Sequence, residues 1–289
     1  MAEPFAVIDS FSAVLRAVSY VLQLQAAGVA IFCVLFGRMI PASLLTVRRD
    51  GRRLAASAAV FIVCQFALDA GRMSGDWSGV ADPALQSLSL RSSSGLACAL
   101  RLTGMGLLAG GFPGGSRAVL ALGVALTAAA FPVTGHTSVS PLRPALIGLL
   151  LLHVLVVSFW MGALWPLLRV IAHETAASAA RCVERFSTIA LRAVPLILLA
   201  GIGLTALLLQ SLAQLLQPYG AVLLAKATLF AVLMGLAALN RWRFSPGIAG
   251  GQATAVRAFR RTAIAEWAVI CIVLLLTAVL TTFYSPEAA

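Results

Sequence analysis

Residues Ala145 to Leu168 read ALIGLLLLHVLVVSFWMGALWPLL, a run of 24 residues with no acid, lysine or arginine and with one ionisable side chain, His153. As an α-helix such a run extends about 36 Å, enough to cross the roughly 30 Å hydrocarbon core of a bilayer. Seven further stretches are predominantly apolar, each with a single acid, lysine or arginine: Val14 to Phe36, Leu54 to Ala70, Ser94 to Gly111, Arg117 to Val133, Thr188 to Gln210, Tyr219 to Leu239 and Thr262 to Phe283. The whole 289-residue chain is 61% hydrophobic and 11% charged, with a mean hydropathy of +0.98. Ten acids and 21 bases cannot cover the exterior of a water-soluble fold of this length, so soluble enzymes and disordered chains are excluded together. The expectation is an all-α polytopic membrane protein, one integral domain over residues 1–289 with eight transmembrane helices. The fourth has two readings. Its apolar core stops at Pro132, and the helix either ends there or continues through Gly135 and His136 toward Pro141.

The formal charge is +11, and the bases are arginines except for Lys226. They concentrate in alternate connectors: Arg38, Arg48, Arg49, Arg52 and Arg53 in the first, Arg169, Arg181 and Arg185 in the fifth, and Arg241, Arg243, Arg257, Arg260 and Arg261 in the seventh. Retention of arginine-rich loops on the cytoplasmic side predicts that both termini face outward, into the periplasm of a bacterial inner membrane. No basic stripe is interleaved with exposed aromatics, so nucleic acid is not an expected partner. The N-terminus has Glu3 and Asp9 and no basic n-region, which predicts a retained first helix. Cys33, Cys64, Cys98, Cys182 and Cys271 are scattered without a CxxC and read as reduced small hydrophobes.

In so apolar a chain, polar groups inside the spans carry the information, because a charge at the bilayer centre costs about 2.5 to 3.5 kcal/mol on insertion scales. Five such residues stand out: Arg101 in the third span, His136 at the outer end of the fourth, His153 in the fifth, Lys226 in the seventh and Glu266 in the eighth. A neutral imidazole at the depth of His153 suits copper, zinc or haem iron, or a hydrogen bond across helices. Trp160 lies seven residues on, along the same stripe, and Gly162 permits a close helix approach. His136 and His153 flank one hairpin and can share an ion or form two successive stations. Arg101 and Lys226 at the same level are awkward for copper unless they pair with Asp69 or stand apart from the histidines, and they suit an anion such as a haem propionate or a quinone oxygen. Glu266 follows Arg260 and Arg261 by one to two turns, which predicts an ion pair with one of them. His173 reads as a solvated loop residue. No nucleotide-binding loop, HExxH or Ser/His/Asp arrangement is present, so transport, metal handling or membrane redox chemistry remains, and no catalytic residue is expected.

The second half resembles the copper resistance protein D family. The resemblance rests on Gly135-His136-Thr137, His153 with Trp160-Met161-Gly162-Ala163-Leu164, Arg185-Phe186-Ser187, Gly201 and Gly203, Tyr219-Gly220 with Leu224 and Lys226, Asn240-Arg241, the stretch from Arg260 to Glu266, and Pro286. Arg16 and Gly28 in the first span are compatible with it. The resemblance implies an eight-helix inner-membrane protein that moves copper between periplasm and cytoplasm, in the direction of uptake, alongside a periplasmic copper chaperone of CopC type. It makes His136 and His153 the first choices for copper ligands and Trp160 their close neighbour. No methionine-rich or histidine-rich outer loop and no fused chaperone domain accompany it. His153 with Trp160, Gly162 and downstream Arg169 also resembles the HemJ-type membrane protoporphyrinogen oxidases, which implies haem b on His153 with Arg101 and Lys226 holding its carboxylates. The expected site is a polar pocket between the fourth, fifth and seventh spans, closed by Gly71 to Ser89.

Overall fold

The computed structural model describes residues 7–134, 142–208 and 216–284, and among them the chain is helical throughout, without a strand. Among the described residues, seven helices are long and apolar enough to cross a membrane. They are α1 (Val7–Phe36), α2 (Leu44–Ser74), α4 (Ser93–Gly114), α6 (Arg143–His173), α7 (Ala176–Leu208), α8 (Pro218–Leu239) and α10 (Ala253–Phe283). Between them lie the short α3 (Pro83–Arg91), α5 (Arg117–Ala129) and α9 (Ser245–Ala249).

The helices overrun their apolar cores. α2 begins ten residues before Leu54, α7 twelve before Thr188 and α10 nine before Thr262, so the arginine-rich connectors are largely helical extensions of the spans. Their ends follow local chemistry. Gly75 and Gly115, with φ of 82° and 63°, close α2 and α4 in the left-handed conformation that glycine adopts without a Cβ clash. Asp82 caps α3 by accepting from the backbone N–H groups of Ala84 and Leu85 at 2.8 and 3.3 Å, with Pro83 at the first helical position. In the loop before it, Asp76 accepts from the hydroxyl and backbone N–H of Ser78 at 2.6 and 2.9 Å, which holds its carboxyl below the usual carboxylate range.

α5 has 13 residues and stops at Ala129, after which Phe131–Val133 forms a single 3-10 turn around Pro132. The apolar run from Arg117 to Val133 is therefore a short helix and a turn, and continuation of the helix through Gly135 is corrected at Thr134, which is extended. The proline imposes the stop, since it lacks the N–H that a continuing helix requires.

α1 is the central element and packs against α2, α5, α6 and α10. Lipid offers no hydrophobic drive for helices to associate, so close packing of small residues carries this contact. Gly28 of α1 crosses Gly162 of α6 so tightly that a Cβ on Gly28 would sit 2.6 Å from the Gly162 Cα and collide with the Ser158 carbonyl. α6 packs on α7 as well, and α8 packs on α10. Side-chain bonds tie the two termini together at one end of the bundle: Arg72 reaches Asp9 at 2.8 Å and the Thr282 carbonyl at 3.3 Å, and Arg16 reaches the Thr281 carbonyl at 3.3 Å. The opposite end is the arginine-rich one, where Arg169 and the Trp165 indole both meet Asp50 at 3.3 Å.

Candidate functional site

Counting from the helix starts explains why the intramembrane polar residues meet. His153 lies ten residues into α6, Lys226 eight into α8, Arg101 eight into α4 and Arg16 nine into α1, so each is roughly 12 to 15 Å below the termini end. All four line one cavity of about 1210 Å³ inside the termini half of the bundle. Its wall is mainly apolar and is drawn from α1, α2, α4, α6, α7, α8 and α10, with Phe131 and Thr134 following α5. The pocket expected between the fourth, fifth and seventh spans is thus corrected: among the described residues the fifth and seventh contribute as α6 and α8, the fourth contributes Phe131 of its terminal turn, and five further helices enclose the space. Of the expected lid, Arg72 and Met73 reach it.

His153 faces α7 where Gly201 leaves room for the ring: a Cβ on that glycine would lie 3.9 Å from His153 Cε1. The backbone of Ile197, one turn earlier, acts on the same ring, while Nδ1 is buried without a hydrogen-bond partner of normal geometry. That imidazole is available as a ligand, and Cys98 and Met73 offer sulfur on the same cavity wall, although the Ser89 hydroxyl contacts the Met73 sulfur at 3.6 Å. Cys64 is exposed on the bundle exterior and does not reach the cavity. Among the described residues no three His, Cys, Asp or Glu side chains gather into a metal site. His136 lies outside the described residues, two positions after Thr134, which lines the cavity.

The electrostatics are lopsided. Arg16, Arg72, Arg101 and Lys226 face the cavity, and among the described residues Asp69 is the one carboxylate on its wall. Asp69 meets Arg16 at 3.9 Å and lies within electrostatic reach of Arg72 and Arg101. Arg16 makes the ion pair with Asp69, and Arg101, expected as its partner, shares that carboxylate only through its field. Arg101 stacks instead over Phe131, 5.5 Å from the ring centroid, and its Nε is buried without a partner. Arg16 stands two residues into the apolar run from Val14, where in sequence it has the character of a snorkelling helix end. The helix starts at Val7, which carries Arg16 into the span.

Trp160 lines the deep end of the cavity, two turns beyond His153 on α6. Its indole Nε1–H donates to Glu266 Oε2 at 3.0 Å. The Asn240 amide donates to Glu266 Oε1 at 2.5 Å, and Thr262 donates a very short bond to Asn240 Oδ1. Glu266 is buried, at 2% exposure. The ion pair expected with Arg260 or Arg261 is corrected: those side chains are one turn and more away along an exposed face, and neutral donors on α6 and beyond α8 hold the carboxylate. Asn240 opens a π-helical turn, Asn240–Phe244, a departure from α geometry that recurs at functional sites. Sequence offered only its place beside Arg241 as a signal. Arg169 is roughly 24 Å along α6 from His153 and is bonded to Asp50, so the haem-like pattern does not converge on the cavity at that residue.

The family model described as "Copper resistance protein D-like, N-terminal domain" matches residues 7–141, and that described as "Copper resistance protein D" matches residues 180–280. Together they cover most of the chain, including Arg16, Asp69, Arg101 and His136 in the first and Lys226, Asn240 and Glu266 in the second. His153 and Trp160 fall between the two matched segments. No curated protein and no solved structure matches the chain.

Proposed function

The chain belongs to the copper resistance protein D family of multi-pass membrane proteins, with a role in copper homeostasis, and from that premise we propose that it takes copper into the cavity and binds it at His153. The observation that supports this site is the His153 imidazole on the cavity wall, its Nδ1 buried without a hydrogen-bond partner of normal geometry. A neutral imidazole is a good ligand for either copper oxidation state, and His136, close in sequence to Thr134, is the second ligand in this reading. Copper is cargo here, and no catalytic step is assigned.

Arginine-rich loops on the cytoplasmic side would put the cavity mouth in the periplasm of the inner membrane, where a CopC-type chaperone can deliver the ion. Entry past His136, residence at His153 and passage inward beside Trp160 and Glu266 make the direction uptake. Glu266 is the anionic group below the cavity floor, and Trp160 stands between it and His153, which supports this order of stations.

Copper accumulation in cells expressing the wild type, His153→Ala or Trp160→Phe tests the proposal. Accumulation should fall to the empty-vector level in His153→Ala at matched membrane abundance. Unchanged accumulation in that variant would remove His153 from the path.

A further inference from the structure

Lys226 is the least explained charge in the molecule. It lies deep in the bundle, lines the cavity, and has no ion pair or hydrogen bond among the described residues. Arg101 is equally enclosed, with Nε unpartnered and its guanidinium against Phe131. Asp69, already shared with Arg16 and Arg72, cannot neutralise both. Uncompensated cations at this depth are costly in a bilayer, so the wall is built to face an anion.

The shape of the cavity identifies what carries that anion. α7 and α8 are consecutive spans and both line it, yet they form no packed interface with each other: α7 packs on α6 and α9, α8 on α10 and the π turn. The two helices are also the least buried spans. Leu198 and Ile202 of α7 and Leu224 of α8 line the cavity and are each about half exposed, so the gap between these two unpacked helices forms a lateral slot. A slot between half-exposed leucines admits an acyl chain from the surrounding lipid. An arginine fork and a lysine ammonium at its inner end suit a phosphate.

We propose that the cavity binds one anionic phospholipid of the surrounding bilayer, its phosphate held by Lys226 and Arg101 and its acyl chain leaving through the slot between α7 and α8. This stands on the cavity's charge and shape and not on the copper reading. The bound phosphate also supplies negative charge beside His153, where the bare wall would repel a metal cation.

The test is native mass spectrometry of the full chain after detergent exchange, with lipid supplied as nanodiscs of palmitoyl-oleoyl phosphatidylglycerol or of the matching phosphatidylcholine. The wild type should retain one phosphatidylglycerol and no phosphatidylcholine. Retention should fall roughly tenfold or more in Lys226→Gln and be restored in Lys226→Arg, as loss of a charge-assisted contact requires. Arg243→Gln, which changes an arginine far from the cavity at the arginine end, should leave it unchanged. Equal retention of both lipids, or retention unaffected by Lys226→Gln and Arg101→Gln alike, would overturn the proposal. So would protection against thermal unfolding by inorganic phosphate equal to that by the lipid, or a Soret-absorbing ligand in place of the lipid. Copper content does not enter any of these results, so the lipid and copper assignments fail separately.

Discussion

Trp160 and Glu266, 106 residues apart, are joined by an indole-to-carboxylate hydrogen bond of 3.0 Å that links the cavity floor to a buried acid. With Asn240 and Thr262 it forms a polar cluster joining α6, α10 and the turn after α8. A carboxylate so enclosed costs most when one donor is taken away and the oxygen is left bare. Trp160→Phe should therefore destabilise the protein by about 1 to 3 kcal/mol. Thermal unfolding in detergent checks this, and a melting temperature equal to wild type would mean that the bond contributes nothing. Glu266→Gln, which keeps the shape and one acceptor, should cost less than Glu266→Ala.

The Gly28–Gly162 crossing leaves no room for a methyl group on either helix, because the neighbouring atoms are backbone and cannot rotate aside. Gly162→Ala should push α1 from α6 and cost about 1 to 3 kcal/mol or more, the usual range for overpacking. Gly148→Ala is the control, on the same helix with open space at its Cα. Size-exclusion profiles and melting curves of the two variants should separate clearly; identical behaviour would contradict the crossing.

Asp69→Asn removes the carboxylate that Arg16, Arg72 and Arg101 share. Because the Arg16 and Asp69 side chains keep 13% and 24% exposure, the expected loss is about 2 kcal/mol, below that for a fully buried pair. Arg16→Gln in the same background should recover part of it by relieving the excess charge. Additive losses in the double variant would show that the two groups do not interact.

Asp76 gives a pH dependence at the termini end. Its folded-state pKa is depressed by Ser78, so the stabilisation it confers on residues 75–81 is complete above the usual carboxylate range and is lost as pH falls through the lower, folded-state value. Hydrogen exchange read across an acid series should show opening of this loop in wild type. Asp76→Asn should exchange faster already at neutral pH. A loop with the same protection at neutral pH in both proteins would contradict the assignment.

How far sequence carried the account varies with the physical signal. Uninterrupted apolar runs such as Ala145 to Leu168 are enforced by the thickness of the bilayer and could be read directly. Helix extensions such as residues 44–53 of α2 could not, because outside the hydrocarbon an arginine-rich helix and an arginine-rich loop have the same composition. The depth of Lys226 and of His153 was legible by counting residues, and their meeting in one cavity followed. Arg16 was hidden by an apolar window that began seven residues after the helix does. Glu266 was misassigned because sequence proximity to Arg260 and Arg261 says nothing about which helices pack, and its true partners, Trp160 and Asn240, are 106 and 26 residues distant. Gly162 was legible as a close-approach position, whereas its counterpart Gly28 required the packed bundle.

The most direct test of the central claim is copper content per chain, by elemental analysis together with an absorption spectrum, in detergent-purified wild type, His136→Ala and His153→Ala. About one copper per chain is expected in the wild type, lost in His153→Ala and reduced in His136→Ala, with no Soret band. Copper content that is the same in all three proteins, or a Soret band that disappears with His153, would contradict it.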